Sequence, residues 1–273
     1  MPIGWIDCND YSFNSMLLLE RFQIRLMVES CGWRKDNHDR KRDMSAALTA
    51  HPHVKWYLER RCPECAEAIG RLAADAPIIM DAAELRAAEV RILSSVEDFI
   101  VYTTPEVMAE KCDFIRGWNK ERLFALAYFE GKTVLDVGAG SGRLAFAAAE
   151  KAAQVYAVEP VGTLREFMRD KAKREGVDNI RIADGFIESL PYPDCTFDIV
   201  LSGHVYGDHW DEEIAESERV CKPGGWLVDC PGDSTGHIKP KPELLVRGWE
   251  EVYYRGSFGF DVYCYRKQKP LTA

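Results

Sequence analysis

The sequence contains no hydrophobic run long enough to cross a membrane. Its 273 residues include no stretch of about 20 consecutive apolar residues, the length that a membrane-spanning helix needs. The apolar piece Met16–Leu19 falls far short of it. The first residues also lack the basic segment and apolar core of a secretion signal. We therefore expect a cytoplasmic protein with no membrane partner.

Positively charged residues are outnumbered by negatively charged ones. The chain has 35 Lys and Arg residues against 44 Asp and Glu residues, a formal net charge of −9. The strongest basic cluster lies within 34–42 and is interrupted by Asp36 and Asp39, which is typical of a solvated face. An acidic protein repels phosphate backbones. We therefore predict no nucleic-acid partner.

The nine cysteines are not expected to form a disulfide framework, because no secretion signal is visible. Cys62 and Cys65 form a C-x-x-C pair, which is half of a zinc site. The missing ligands would have to come from the scattered residues Cys8, Cys31, His38, His51 and His53. Two cysteines three apart on a helix also share a face and pack as small hydrophobes. We favour packing over a metal site, a redox pair or a thiol acceptor.

The chain changes character near residue 130. Residues 1–130 carry apolar residues at helical spacing, which predicts an N-terminal helical cap with one long helix over Asp81–Val101. In 131–273 short apolar strands alternate with helices, which indicates a parallel sheet covered on both faces. Aromatic-rich segments at about 249–255 and 259–266 favour an antiparallel hairpin at one edge. The predicted fold is α/β, with a Rossmann-like, doubly wound, seven-stranded sheet.

A glycine-rich turn follows the first predicted strand, Thr133–Val137, and precedes a helix. It reads Asp136-Val-Gly138-Ala139-Gly140-Ser-Gly142. Glycines let the backbone bend tightly and let a ligand approach the helix N–H groups. The spacing is not the dinucleotide pattern G-x-G-x-x-G, because Arg143 stands where that pattern needs Gly or Ala. The phosphate-binding G-x-x-x-x-G-K-[S/T] pattern is absent as well.

Further motifs follow at regular intervals. Glu159 and Pro160 come directly after the second predicted strand, and Asp184, Gly185 and Phe186 after the third. The segments Leu190–Val200 and Arg219–Val228 then read L-P-Y-P-D-C-T-F-D-I-V and R-V-C-K-P-G-G-W-L-V. In this order the motifs resemble those of class I S-adenosylmethionine-dependent methyltransferases. The resemblance covers about 131–268 and is closest to small-molecule enzymes of the ubiquinone/menaquinone-biosynthesis type.

The resemblance implies S-adenosylmethionine as the cofactor. It assigns Asp136 and the glycine turn to the methionine end of the cofactor, Glu159 to the ribose hydroxyls, and Asp184 with the residues after it to the adenine. It also suggests that Tyr102 and Trp118 border the cofactor. The alternatives are local: Asp136 as a helix cap, Glu159 as a turn residue, and the residues near Tyr102 and Trp118 as a packing layer without ligand contacts.

The loop after the fourth predicted strand concentrates titratable groups. It begins with Ser202 and Gly203, which we expect beside the cofactor, and contains His204, Tyr206 and His209. Histidine titrates near neutral pH, so His204 or His209 is a candidate general base. The alternatives are that His204 only packs against the cofactor and that Asp208 caps the next helix. An acceptor that is already nucleophilic needs no base at all.

The sequence therefore predicts a methyltransferase that acts on a small molecule. A protein or nucleic-acid methyltransferase is the alternative within enzymes, although no Asn-Pro-Pro-Tyr-like motif follows the fourth strand. A non-catalytic regulator that binds S-adenosylmethionine is the alternative outside them. A homodimer is possible, and the acceptor is not defined by any motif.

Overall fold

A computed structural model describes residues 5–29, 38–74, 80–207, 209–233 and 240–271. The chain divides into two compact units, Met1–Val107 and Met108–Ala273. The second unit thus begins before residue 131, the start that the sequence predicted for the sheet-bearing region. The reason is packing, because Leu123, Leu126 and Phe129 are buried in the same hydrophobic core as strand residue Val134.

The N-terminal unit is helical throughout its described part, as predicted. Its α-helices are α1 (Arg21–Glu29), α2 (His38–Ala50), α3 (Pro52–Arg61), α4 (Ala66–Ala74), α5 (Ala82–Ser95) and α6 (Glu97–Tyr102), and α7 (Pro105–Lys111) continues into the second unit. The helix predicted over Asp81–Val101 is two helices, because the chain leaves helical geometry at Val96. The unit has its own core, which includes Phe13, Met16 and Leu58.

The second unit alternates strands with helices. Short helices α8 (Asp113–Arg116) and α9 (Glu121–Phe124) come first. They are followed by β1 (Thr133–Val137), α10 (Arg143–Ala149), β2 (Gln154–Val158), α11 (Gly162–Glu175), β3 (Ile180–Ala183), β4 (Phe197–Ser202), α12 (Trp210–Val220), β5 (Cys221–Asp229), α13 (Pro242–Leu245), β6 (Glu250–Arg255) and β7 (Asp261–Gln268).

In the described residues one seven-stranded sheet forms in the order β3-β2-β1-β4-β5-β7-β6. Strands β1 to β5 are parallel, and β7 runs antiparallel to both β5 and β6. The predicted α/β sheet and its antiparallel edge hairpin are therefore confirmed. The strand order reverses between β1 and β4, which is where open α/β sheets form a ligand crevice beyond their carboxyl ends.

The two faces of the sheet are covered by separate hydrophobic clusters. Val134 of β1 belongs to a cluster with α10, whereas Leu135 and Val137 belong to one with α12 residue Ile214. This alternation follows from the period of two in strand side chains, and it fixes which β1 residues point to each helical layer. No helix within the described ranges is long and apolar enough to span a membrane.

Candidate functional site: the carboxyl ends of the parallel strands

The glycine-rich turn joins β1 to α10 through three glycines with positive φ. The φ angles are +62° at Gly138, +58° at Gly140 and +88° at Gly142, a region that L side chains adopt at a steric cost. At Gly138 a Cβ atom would lie 2.5 Å from Cγ2 of Val205. Ala139 is buried between these glycines and donates from its N–H to the Val158 carbonyl at 3.0 Å. The turn therefore needs glycine both for its backbone geometry and for close approach.

Asp136 is the last acidic group before this turn and is almost completely buried, with 1% of its surface exposed. Its Oδ2 atom makes no hydrogen bond within the part of the chain that is described. Burial raises the pKa of Asp136 to about 7, although the charge of Arg143 acts in the opposite direction. A buried carboxylate oxygen without a partner is costly, and a cationic ligand group would relieve that cost.

Glu159 follows β2 and connects two backbone segments. Its Oε2 accepts a hydrogen bond from the N–H of Gly140 at 2.8 Å, and its Oε1 accepts one from the N–H of Val161 at 2.9 Å. The carboxylate therefore holds the glycine turn against the start of α11. Two carboxylate oxygens offer about four acceptor positions, so this structural role leaves the predicted ribose contact as a prediction. Pro160, the next residue, is partly buried.

Asp184 follows β3, next to Gly185 and Phe186. Its carboxylate is 67% exposed and pairs with Nη1 of Arg165 at 3.1 Å. A Cβ at Gly185 would lie 2.9 Å from both Pro191 Cδ and Val158 Cγ1, so this position is closely packed against β2. The carboxyl ends of β1, β2 and β3 thus each carry an acid where the sequence predicted one.

Ser202 ends β4 and is fully buried. Its hydroxyl donates to Oδ1 of Asp229 at 2.8 Å, and Lys241 Nζ donates to Oδ2 of the same carboxylate at 2.7 Å. Gly203 is also buried. Because the Ser202 hydroxyl is used inside the protein, its side chain supports the loop, and any cofactor contact falls to the backbone.

His204 follows Gly203 directly and, unlike Ser202 and Gly203, is exposed. Its Nε2 lies 2.6 Å from the carbonyl oxygen of Pro231, and its ring centroid lies 4.6 Å from that of Phe114. Since a carbonyl only accepts, Nε2 carries the proton and Nδ1 holds the lone pair.

The charge state of His204 follows from these surroundings. Its pKa is lowered to about 3, first because the surrounding protein withholds water from the charged ring, and then because Arg143 and Lys241 repel another positive charge. The imidazole is therefore neutral at neutral pH and is a weak base.

Tyr206 differs from its predicted role as a catalytic group. It is buried, its hydroxyl donates to the Ser217 hydroxyl at 3.0 Å, and its ring packs 5.6 Å from that of Trp249. Burial is the main reason why the pKa of its hydroxyl is raised. The loop turns this side chain into the core beneath α12, so a catalytic role for Tyr206 is not supported by its position.

His209 is exposed and stands at the start of α12, where Asp208 was the expected cap. Glu213 Oε1 accepts from the N–H of His209 at 2.8 Å, and Glu213 Oε2 accepts from the N–H of Gly207 at 2.9 Å. Asp208 itself lies outside the described residues. Glu188, His209 and Glu213 offer ligand atoms within 4.8 Å of one another. However, Glu213 is used by these backbone groups, so the cluster is explained as a helix cap.

Arg143 is a residue whose importance sequence reasoning missed. Its Nη2 donates to the carbonyls of Cys230 at 2.7 Å and Pro231 at 3.1 Å. Its guanidinium lies 4.7 Å from the centroid of the Trp118 indole ring, in a stacked arrangement that favours arginine. The sequence feature that could have predicted this role is the position of Arg143 directly after Gly142. At that position its side chain reaches the carboxyl ends of β4 and β5.

Tyr102 and Trp118 were both predicted to border the cofactor. Trp118 stacks on Arg143 within the second unit, so it lies beside residues of the site. Tyr102 belongs to the N-terminal unit, where its ring centroid lies 5.9 Å from that of Trp5. A cofactor contact of either residue stays a prediction.

The C-x-x-C pair lies in the N-terminal unit and away from any third ligand among the described residues. Cys62 and Cys65 are both buried. Burial raises the pKa of the Cys62 thiol to about 12, which disfavours the thiolate that zinc binding and redox chemistry need. His51 pairs with Glu89 at 2.7 Å and His53 with Asn14 at 2.7 Å. Cys31 and the side chain of His38 lie outside the described residues.

Comparisons with known proteins identify several methyltransferases that are similar to this chain. Residues 135–229 match the model of a methyltransferase domain family. A demethylmenaquinone methyltransferase from Deinococcus radiodurans is 31% identical over 155 residues, which are 50% of this chain and 64% of the relative. Protein arginine N-methyltransferase 6 from Xenopus tropicalis is 30% identical over 180 residues, 62% of this chain and 49% of the relative. The chain thus spans less than two thirds of the length of both relatives.

A solved structure of an S-adenosylmethionine-dependent methyltransferase from Aquifex aeolicus is also similar. It is 19% identical, with a TM-score of 0.47, and the match covers 60% of this chain and 96% of that one.

The geometry of the site fits S-adenosylmethionine, the cofactor that the methyltransferase motifs of the sequence imply. Asp136 presents a buried carboxylate oxygen without a partner in the described residues, beside a turn whose glycines have no room for side chains at Gly138 and Gly142. Acids at the ends of β2 and β3 complete the predicted set. The chain carries a class I S-adenosylmethionine-dependent methyltransferase domain, and S-adenosylmethionine is the cofactor of that domain.

Proposed function

We propose that the protein transfers the methyl group of S-adenosylmethionine to a small-molecule acceptor and releases S-adenosylhomocysteine. The observation that carries this proposal is the buried Oδ2 of Asp136 beside the glycine turn, which has no hydrogen-bond partner among the described residues. The similarity of half the chain to a demethylmenaquinone methyltransferase supports a small acceptor. The formal charge of −9 supports it further by disfavouring a nucleic acid.

Each residue has a role in this proposal. When bound, the cofactor would supply a methyl group on a positively charged sulfur, and attack of the acceptor on that carbon would release the sulfur as the neutral thioether of S-adenosylhomocysteine. Asp136 in its ionised form holds the amino group of the methionine end, and Glu159 binds the ribose hydroxyls. Asp184 recognises the adenine. Holding both reactants in line removes much of the entropic barrier of a two-molecule reaction.

His204 has a restricted role. A neutral imidazole whose pKa lies well below its usual value is a poor general base at neutral pH. Its Nδ1 lone pair can accept a hydrogen bond and so orient an acceptor. We therefore infer that His204 does not act as the general base, which a thiolate, an amine or an acidified hydroxyl as the acceptor would not need.

Calorimetry tests the cofactor part of the proposal. We expect S-adenosylhomocysteine to bind with a dissociation constant below about 1 mM, and Glu159→Ala to weaken that binding at least about tenfold, which is 1.4 kcal/mol. Glu166→Ala is the matched control, because Glu166 is an exposed acid on α11 that pairs with Arg169. An unchanged affinity in Glu159→Ala would contradict the assignment of Glu159 to the ribose. A wild-type protein that does not bind S-adenosylhomocysteine would contradict the proposed function.

Methyl transfer itself is tested with a deuterated methyl donor. Mass spectrometry would follow the label into quinols, thiols and amines in one set of reactions and into histone-type protein substrates in another. We expect label in a small molecule. The alternative is a protein methyltransferase, which the similarity to protein arginine N-methyltransferase 6 supports, and label only in protein would favour it.

We also infer that the N-terminal helical unit selects the acceptor. The match to the methyltransferase domain family covers only residues 135–229, which supports a role for the N-terminal unit in what distinguishes this chain from other members of that family.

A further inference from the structure

Arg165 connects the two acids that follow β2 and β3. It lies in the first turns of α11, and its Nη1 donates to the carbonyl oxygen of Glu159 at 2.6 Å and to Oδ1 of Asp184 at 3.1 Å. The Arg165 side chain is only 17% exposed, whereas that of Asp184 is 67% exposed. A largely buried cation thus anchors a largely exposed carboxylate to the backbone of the neighbouring strand end.

The anchor point is itself rigid. The N–H of Glu159 donates to the carbonyl of Ala183 at 3.1 Å, and the Glu159 carboxylate is held by the N–H groups of Gly140 and Val161. Arg165 therefore transmits the position of this well-held segment to Asp184. Without it, an exposed aspartate side chain would sample several rotamers.

The contact also selects which oxygen of Asp184 remains available. Arg165 contacts Oδ1, and the side chain that carries Oδ2 is 67% exposed. A carboxylate oxygen only accepts hydrogen bonds, so this oxygen recognises a donor. The exocyclic amino group of adenine is such a donor, and the oxygen at the same place in a 6-oxo purine is not.

We propose that Arg165 is a positioning residue that orients Asp184 and thereby gives the cofactor site its preference for adenine over a 6-oxo purine. The proposal rests on the proposed function, since it takes Asp184 as the adenine contact. It goes beyond that function because it assigns base selectivity to a residue outside the recognised motifs.

The test compares two ligands, S-adenosylhomocysteine and its deaminated counterpart S-inosylhomocysteine, by calorimetry on the full chain. We expect the wild type to prefer the adenine compound by about tenfold or more and Arg165→Met to prefer it by less than about threefold. Methionine keeps the apolar stem of the side chain and removes both hydrogen bonds. Because both bonds run from Nη1, Arg165→Lys should retain most of the preference.

A matched control lies one turn further along α11. Arg169 pairs with Glu166 at the same surface, so Arg169→Met removes an arginine without touching Asp184 and should leave the preference unchanged. Thermal melting of each variant would confirm that it is folded at the temperature of the titration.

A double-mutant cycle tests whether Arg165 acts through Asp184. Asp184→Ala should reduce the preference at least as much as Arg165→Met does, and the double variant should have the same preference as Asp184→Ala alone.

The outcomes separate two failures. Failure of the wild type to bind S-adenosylhomocysteine overturns the proposed function. If it binds, a wild type without preference overturns Asp184 as the adenine contact and the role of Arg165 with it. An Arg165→Met variant that keeps the full preference, or a further loss of preference when both substitutions are combined, overturns the role of Arg165 alone.

Discussion

The Nε2 atom of His204 lies 2.6 Å from the carbonyl oxygen of Pro231, which Nη2 of Arg143 also approaches, at 3.1 Å. One carbonyl therefore receives a histidine from the loop after β4 and an arginine from the start of α10. The shared contact fixes the tautomer of the histidine and sets a positive charge beside it. Burial and the neighbouring positive charges lower the pKa of His204, whereas its hydrogen bond to the Pro231 carbonyl acts in the opposite direction. The histidine therefore serves here as a hydrogen-bonding group and not as a base.

His204 should not titrate near neutral pH. Its pKa is lowered from 6.5 to about 3, so its ring signals in a histidine-labelled NMR titration should stay constant from about pH 8 to pH 5. Nitrogen shifts should report a proton on Nε2. An inflection of the His204 signals near pH 6.5 would contradict the predicted environment.

The same shift predicts a stability change in acid. A histidine whose folded-state pKa is depressed favours the unfolded state once the unfolded chain can take up the proton. Its contribution is therefore present above about pH 6.5 and lost as the pH falls towards about 3. Replacing His204 with Asn should flatten the decline of the free energy of unfolding over that range.

Asp136→Asn should stabilise the protein at high pH while it impairs cofactor binding. The pKa of Asp136 is raised from 3.8 to about 7. Its protonation therefore contributes fully to the free energy of unfolding below about pH 4, and this contribution is lost as the pH rises through 7. Asparagine removes the cost of a buried charge. We expect a gain of about 2 kcal/mol at pH 8, no gain at pH 4, and an affinity for S-adenosylhomocysteine at least about tenfold weaker.

Asp198 provides a control, because its pKa is shifted in the opposite direction to that of Asp136. Burial tends to raise the pKa of Asp198, but the Thr133 N–H and the Lys222 ammonium outweigh burial and lower it. Its stabilisation is therefore present at neutral pH and lost as the pH falls through its folded-state pKa. Asp198→Asn should destabilise the protein at pH 8, and urea unfolding at both pH values would distinguish the two variants. Equal changes in the free energy of unfolding for Asp136→Asn and Asp198→Asn at pH 8 would contradict the opposite pKa shifts of the two residues.

Gly138→Ala should damage the site more than a comparable change elsewhere. Gly131 has a similar φ of +68° and nothing within 4 Å of the position that a Cβ would occupy, whereas a Cβ at Gly138 would meet Val205. Gly131→Ala should cost about 1–2 kcal/mol of stability through its backbone alone and leave cofactor affinity unchanged. Gly138→Ala should lose more stability and bind S-adenosylhomocysteine measurably more weakly. Equal affinities in the two variants would show that the approach at Gly138 has no effect on the cofactor.

Tyr206→Phe separates a structural tyrosine from a catalytic one. The substitution removes the hydrogen bond to Ser217 and keeps the packing against Trp249, so it should cost about 1 kcal/mol of stability. The rate of methyl transfer should stay within about twofold of wild type, because an aromatic ring in the core makes no contact with the reactants. A much slower enzyme with normal stability would restore the catalytic interpretation.

The architecture and the acidic positions were predictable because they depend on local patterns. The glycine spacing after β1, the alternation of strands and helices, and the hairpin at β6 and β7 are all encoded within short windows. The same is true of Glu159 and Asp184, which follow directly from the ends of strands. These features need no knowledge of distant contacts.

The roles of single side chains in the loop after β4 were not predictable, because they depend on distant residues. The Tyr206 side chain contacts Ser217 and Trp249 in the core. No sequence pattern links Tyr206 to either partner. Arg143 meets carbonyls at 230 and 231, far along the chain. The start of the second unit was placed late for the same reason, since Leu123 and Leu126 look like any helical residues until the sheet is present to bury them.

The position of β7 between β5 and β6 has a consequence for biosynthesis. Strand β6 emerges from the ribosome before β7, yet in the sheet it pairs with β7 and not with β5. The edge of β5 therefore stays uncovered until Asp261–Gln268 has been made, and the nascent sheet exposes backbone groups in the meantime. Premature termination near residue 256 would leave β6 without its partner, and such a fragment should be a substrate for chaperones and proteases.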